Sequence, residues 1–136
     1  MFLAILIAGP SISVGAEVEI KANIMGIKNN KGTIYISLFS EKQQDEFPAG
    51  KPLEKKAVDA KKEGVSVVFI VSKPGSYAIS VMHDENNNGE LDKNFIGIPK
   101  ERYGNSGKRA RMKKPNYRDS VFMVGDENLE LNIKIH

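Results

Sequence analysis

Along residues 18–24 apolar and polar side chains alternate: Val18, Ile20, Ala22 and Ile24 on one side, Glu19, Lys21 and Asn23 on the other. A period of two marks a half-buried strand. Lys28-Asn29-Asn30-Lys31-Gly32 then reads as a turn, because Asn and Gly tolerate positive φ. Residues 33–40 resume the alternation with Ile34, Ile36 and Leu38 on one face, so the two segments read as a hairpin. Residues 41–62 are polar and lysine-rich, with Phe47-Pro48 and Pro52-Leu53 as apolar anchors. Ala57, Val58 and Ala60 fit a short edge strand whose flanking lysines discourage pairing with other chains; a short helix is the competing reading. Residues 65–71 are strongly β-branched, with Val65, Val67, Phe69 and Val71 on one face. Lys73-Pro74-Gly75 turns the chain, and Tyr77, Ile79 and Val81 lead the next strand. Residues 120–124 and 129–135 read as a last hairpin around 125–128, with Leu129, Leu131, Ile133 and Ile135 in clean alternation.

About seven short strands with turn signals between them, and no good amphipathic helix, predict an all-β fold: an antiparallel, Ig-like β-sandwich. Its two inward-facing rows would share one core. A small closed barrel is the alternative. One interruption stands out, a long loop between residues 84 and 118. A structureless excursion of that length in a compact domain suggests function or special stabilisation. Burial of Phe95, Ile96, Ile98 and Tyr103 against the sandwich would help to offset the cost of ordering it, about 1–2 kcal/mol per residue.

The loop opens with His83-Asp84-Glu85-Asn86-Asn87-Asn88-Gly89-Glu90-Leu91-Asp92. Asp84, Asn86, Asn88 and Asp92 fall at relative positions one, three, five and nine, with Gly89 at six and a backbone carbonyl near Glu90 at seven. A tight turn with that spacing aims hard oxygen donors at one point, as calcium requires. Position twelve is Phe95 rather than a bidentate Glu, and no helices flank the loop, so this is not an EF-hand. A bound ion would sit at the weak end of the range, about 10⁻⁴–10⁻³ M. The competing reading is an asparagine-rich turn whose side chains cap their own backbone amides.

The same stretch carries a likeness. Residues 77–103, with His83-Asp84-Glu85-Asn86, then Asn88-Gly89-x-Leu91-Asp92, then Asn94-Phe95-x-Gly97-Ile98-Pro99-Lys100-Glu101-x-Tyr103-Gly104, resemble the domain-of-unknown-function 2141 family of small exported bacterial proteins. The resemblance runs from Val18 to the end of the chain. It implies a periplasmic or secreted sandwich similar to prealbumin-like domains, with no established activity. After Tyr103-Gly104 the family pattern carries a Phe, then Ser and Asn; Asn105-Ser106-Gly107-Lys108-Arg109 departs from it by omitting the aromatic and adding charge.

At 136 residues the chain suits one domain. The first sixteen residues are uncharged: residues 2–8 are apolar, Gly9-Pro10 breaks the run, and Val14-Gly15-Ala16 supplies small residues at −3 and −1. This reads as a signal peptide over residues 1–16 with cleavage near Ala16, leaving residues 17–136 as the mature domain, periplasmic or secreted. The apolar run is too short for a spanning helix, which needs roughly 20 residues. No Lys or Arg precedes it, as expected where a start lies downstream of the true one. A buried first strand or helix, or an uncleaved anchor, are the other readings. The absence of cysteine excludes disulfides and thiol chemistry.

The net charge of +3 is mild. Locally, though, Lys100, Arg102, Lys108, Arg109, Arg111, Lys113, Lys114 and Arg118 meet only Glu101 before Asp119. Nucleic acid is not expected, because an exported chain rarely meets it and aromatic platforms are sparse. Anionic envelope material, a polymer or lipid headgroups, is the more coherent partner; a merely solvated loop is the alternative. His83 continues the inward row of the fifth strand and reads as a hydrogen-bonded pin rather than a metal ligand or general base. Paired carboxylates at Asp84, Glu85, Glu90 and Asp92 keep glycoside hydrolysis formally open, but they lie too close in sequence to face one another across a sugar. No nucleophile elbow or phosphate-binding loop is present. The expectation is therefore a binding or scaffolding sandwich with a calcium-stabilised loop and a basic surface; the alternative is a hydrolytic or accessory enzyme acting along residues 83–118.

Overall fold

A computed structural model describes residues 16–97, 99–107 and 114–136. The expected signal segment, apart from Ala16, lies outside the described residues, as do Ile98, Lys108, Arg109, Arg111 and Lys113. The alternating segments become strands at the expected places: β1 (Val18–Met25), β2 (Thr33–Ser40), β3 (Glu54–Asp59), β4 (Val65–Val71) and β5 (Gly75–Asp84). Three more follow, β6 (Tyr103–Asn105), β7 (Phe122–Val124) and β8 (Leu129–Lys134), the last two preceded by a single helical turn, α1 (Tyr117–Ser120).

One sheet runs β4-β1-β8 and the other β3-β2-β5-β6, with β7 also against β5. The apolar rows face each other: Ile20, Ile24, Phe69 and Ile133 from the first sheet meet Ile34, Ile36, Leu38, Ile79 and Val81 from the second in one buried cluster. The all-β sandwich is therefore the observed architecture. Tyr103 and His136 exchange backbone hydrogen bonds of 3.2 and 3.1 Å, closing one edge between the two sheets.

Both expected hairpins are corrected. β1 pairs with β4 and β8, whereas β2 pairs with β3 and β5. The link between β1 and β2 is an arch from one sheet to the other: Gly26 and Gly32 take φ of 80° and 75°, and Ile27 is buried. At the carboxy-terminal end β7 pairs with β5 while β8 runs parallel to β1, so the sandwich is not wholly antiparallel. Asn128 Oδ1 accepts the Glu19 amide at 2.9 Å and helps to set that parallel register. Period-two alternation identifies the face that is buried but not the neighbouring strand, because a strand crossing to the opposite sheet has the same pattern.

Ala57 and Val58 lie in the edge strand β3, as the edge-strand reading expects, with Ala60 just beyond it; a separate 3-10 turn (Glu41–Glu46) precedes the strand. Phe47 anchors as expected, but Leu53 is 51 % exposed and contributes its amide, which donates to Leu38 O. Phe47 joins Phe39, Ala78 and Tyr117 in a second cluster, with Phe39 meeting Phe47 edge-on at 5.1 Å between centroids. The long loop is also less structureless than expected, since β6 pairs with β5 from Ser80 to Met82 and α1 lies near its end. Two of the apolar residues expected to pack on the sandwich do not: Phe95 is 99 % and Ile96 63 % exposed, while Tyr103 is partly covered and Ile98 lies outside the described residues.

Candidate functional site

The ladder between β2 and β5 runs to Thr33 opposite Asp84, so β5 delivers its last residues beneath the 26–32 arch. Space there is minimal. A Cβ on Gly32 would lie 1.9 Å from Asp84 O and 2.7 Å from Glu85 Cα. His83 is 0 % exposed; its Nε2 lies 2.7 Å from Lys31 O and its amide donates to Arg102 O at 2.9 Å. A carbonyl can only accept, so Nε2 carries the proton; Nδ1 has no partner among the described residues. The imidazole thus pins the arch to β5, sealed from any solvent-borne substrate.

Asp84 is equally buried and turns its carboxylate forward along the chain. Oδ1 accepts the Asn88 amide at 3.2 Å and Oδ2 the Gly89 amide at 2.8 Å, which winds residues 84–89 into a turn with Asn87 at φ 54° and Gly89 at 79°. Asn86 Nδ2 and Asn88 Nδ2 donate to the two oxygens of Asp92 at 2.5 and 2.6 Å. Asn88 therefore touches both acids, through its backbone and through its side chain. Glu90 contributes its amide to Asn88 Oδ1 at 3.0 Å, and its side chain is exposed. Thr33 Oγ1 donates to Asn87 Oδ1, and Asn29 Nδ2 to Glu85 Oε1, both at 2.7 Å.

Glu101, singled out by spacing only as the one acid amid cations, fastens the whole turn. It is 5 % exposed; Oε2 accepts the Glu85 amide at 2.6 Å and Oε1 the Asp92 amide at 2.8 Å, so one carboxylate staples the two ends. Nothing in local pattern distinguishes such a residue from a solvated charge; the only cue is its place inside the Pro99-Lys100-Glu101 motif. Ser106 and Ser120 likewise carry no signal in the sequence pattern. Ser106 Oγ accepts from Ile79 N at 2.8 Å and donates to Ser120 O at 2.6 Å, tying β6 to α1.

Of the five candidate ion-binding residues, Asp84, Asn86, Asn88 and Asp92 are brought together, and Glu90 stands beside them with its backbone. The set consists of two carboxylates and two carboxamides. Among the described residues no group of three His, Cys, Asp or Glu side chains is placed to hold a metal. Of the candidate anion-binding residues, Lys100 and Lys114 are exposed, whereas Arg102 is partly buried and donates from Nη1 to Gly26 O at 2.6 Å. Lys93, not among the residues expected from the sequence, is exposed and bridges to Pro99, the residue before Lys100. A cleft of about 180 Å³ lies between β6 and β8, lined by Asn105, Ser106, Asn132 and His136 among others, and none of the loop carboxylates reaches it.

A family model described as "Uncharacterized protein conserved in bacteria (DUF2141)" matches residues 22–132. The chain belongs to this family. The matched span takes in the second half of β1, β2 to β7, the stapled turn and most of β8, so the site of this DUF2141 chain lies wholly inside it. No curated protein and no solved structure matches the chain.

Proposed function

We propose that this DUF2141 chain is an exported, non-catalytic binding or scaffolding module that presents the loop after β5 to an anionic envelope component. One observation carries the reading: the carboxylates of Asp84, Glu85, Asp92 and Glu101 are engaged internally, while four exposed cations of the loop form no salt bridge among the described residues. Asp84, Glu85, Asp92 and Glu101 all accept hydrogen bonds from amides. Among the described residues Lys93, Lys100, Lys114 and Arg118 form no salt bridge, the ion pairs being Lys21–Glu130 and Lys56–Glu54. The result is a locally positive surface on a firmly held frame, which favours an acidic polymer or headgroup. The sealed imidazole of His83 and the engaged carboxylates lend no support to the hydrolytic alternative. Binding to a soluble acidic polysaccharide and to lipopolysaccharide, each against neutral dextran across a salt series, tests the proposal. Affinity for the acidic ligands should fall steeply with salt; equal binding to dextran, or no salt dependence, overturns it.

Calcium is a reinforcing ligand in this reading, held by Asp84, Asn86, Asn88, Asp92 and the Glu90 carbonyl. Support comes from Asn88, which holds one acid through its backbone amide and the other through its side chain, and from carboxylate oxygens that keep further lone pairs free. With a dissociation constant of about 10⁻⁴–10⁻³ M, calcium at about 10 mM would add roughly 1.4–2.7 kcal/mol. That corresponds to a rise in melting temperature of roughly 5–10 °C for chelator-treated protein. An unchanged melting temperature removes the ion from the account.

A further inference from the structure

Residues 92–97, with 99 and 100, form a small projecting turn just beyond the Glu101 staple. Lys100 N donates to Asp92 O at 2.7 Å, Gly97 N to Asn94 O at 2.9 Å and Ile96 N to Asn94 Oδ1 at 3.1 Å, while an isolated bridge pairs Lys93 with Pro99. The backbone is thus held from below, yet the summit is apolar: the Phe95 and Ile96 side chains project into solvent. Neither side chain helps to bury the core, so their exposure has no structural return. Lys93 and Lys100 stand exposed on either side of the base, without ion pairs among the described residues. An apolar point inside a cationic collar complements an anionic bilayer: the apolar groups enter the headgroup–acyl boundary and the ammonium groups meet phosphates. A protein partner fits the shape poorly, since a stable interface buries about 1,200 Å² or more and two side chains on a convex tip offer far less. Deformable lipid needs no matching groove.

We propose that Phe95 and Ile96 form a membrane-interface anchor that inserts into an anionic lipid surface, with Lys93 and Lys100 held at the headgroup phosphates. This rests on the anionic-component reading above and narrows its ligand to a bilayer.

The chain contains no tryptophan, so Phe95→Trp places a single indole at the summit. With phosphatidylcholine vesicles containing phosphatidylglycerol, its emission should shift to the blue and be quenched by brominated acyl chains; with pure phosphatidylcholine it should not. In flotation, the double change Phe95→Ser with Ile96→Ser should lower partitioning at least tenfold, given about 25 cal/mol per Å² of apolar surface. Lys93→Gln with Lys100→Gln should lower it by roughly 25-fold, from about fivefold for each lysine. All variants are compared in the same whole chain, so any contribution of its apolar amino terminus cancels, and matched melting temperatures verify folding. Flotation without an indole shift overturns the anchor and leaves the anionic-surface reading standing. Loss of both flotation and polymer binding removes both. A lipid-independent shift that grows with protein concentration overturns the anchor in favour of a second copy of the chain.

Discussion

Replacing Glu101 by alanine removes two hydrogen bonds at once, those from the Glu85 and Asp92 amides at 2.6 and 2.8 Å. A bond to a charged acceptor contributes about 1.5–3 kcal/mol. Both donors belong to partly buried residues, so water can replace part of what is lost, and the lower end of the range applies to each. Glu101→Ala should therefore cost roughly 3 kcal/mol. Glu101→Gln keeps one acceptor oxygen but points an NH₂ at the other amide, and Glu101→Asp is one methylene too short to span both; each should cost about half as much. Urea unfolding followed by circular dichroism gives these values, provided the denaturant dependence stays constant. Where only the loop lets go, the loss appears instead as faster exchange of the Glu85 and Asp92 amides, on the order of a hundredfold for Glu101→Ala. Unchanged stability together with unchanged exchange would refute the staple.

Two left-handed glycines should separate by contact rather than by φ. Gly32→Ala drives a methyl into the Asp84 backbone and should cost about 3 kcal/mol or more, whereas Gly89→Ala meets nothing within 4 Å and should cost about 1–2 kcal/mol; urea denaturation ranks them. Phe39→Ala empties the second cluster and should cost about 3–5 kcal/mol, while Phe95→Ser should leave the melting temperature unchanged because Phe95 packs on nothing. Burial, and after it the neighbouring Tyr117, push the Tyr77 phenol above its usual 10.0. The fold therefore favours neutral Tyr77: its contribution is fully present below about pH 10 and is lost as pH rises through the raised folded value. Alkaline unfolding should be shallower in Tyr77→Phe than in the parent; identical pH dependence would contradict the assignment.

The faces of the strands were legible because the core imposes a strict two-residue period: Ile20, Ile34, Phe69, Ile79 and Ile133 are all buried as their alternation predicts. Partners were not. Residues 26–32 look like a hairpin turn and form an arch, since Asn and Gly serve both, and sheet choice depends on contacts far along the chain such as Asn128 with Glu19. The oxygen-rich turn was legible from the spacing of Asp84, Asn86, Asn88 and Asp92, whose carboxylates and carboxamides do come together. Glu101 was not, because a staple sixteen residues from one amide and nine from the other leaves no periodic trace. Phe95 and Ile96 depart from expectation because apolar character alone implies burial, and here the chain holds both outside the core. Phe39 and Ala78 belong to the outer face of their strands, and an outer-face cluster requires the distant Phe47 and Tyr117 to be recognised.

The loop after β5 is closed by its own carboxylates, and amide exchange on chelator-treated protein measures that closure directly. The account predicts marked protection at Glu85, Asn88, Gly89 and Asp92, whose amides are bonded to Asp84 or Glu101, and free exchange at Phe95. Exchange at all five positions as fast as in an unstructured peptide would contradict it.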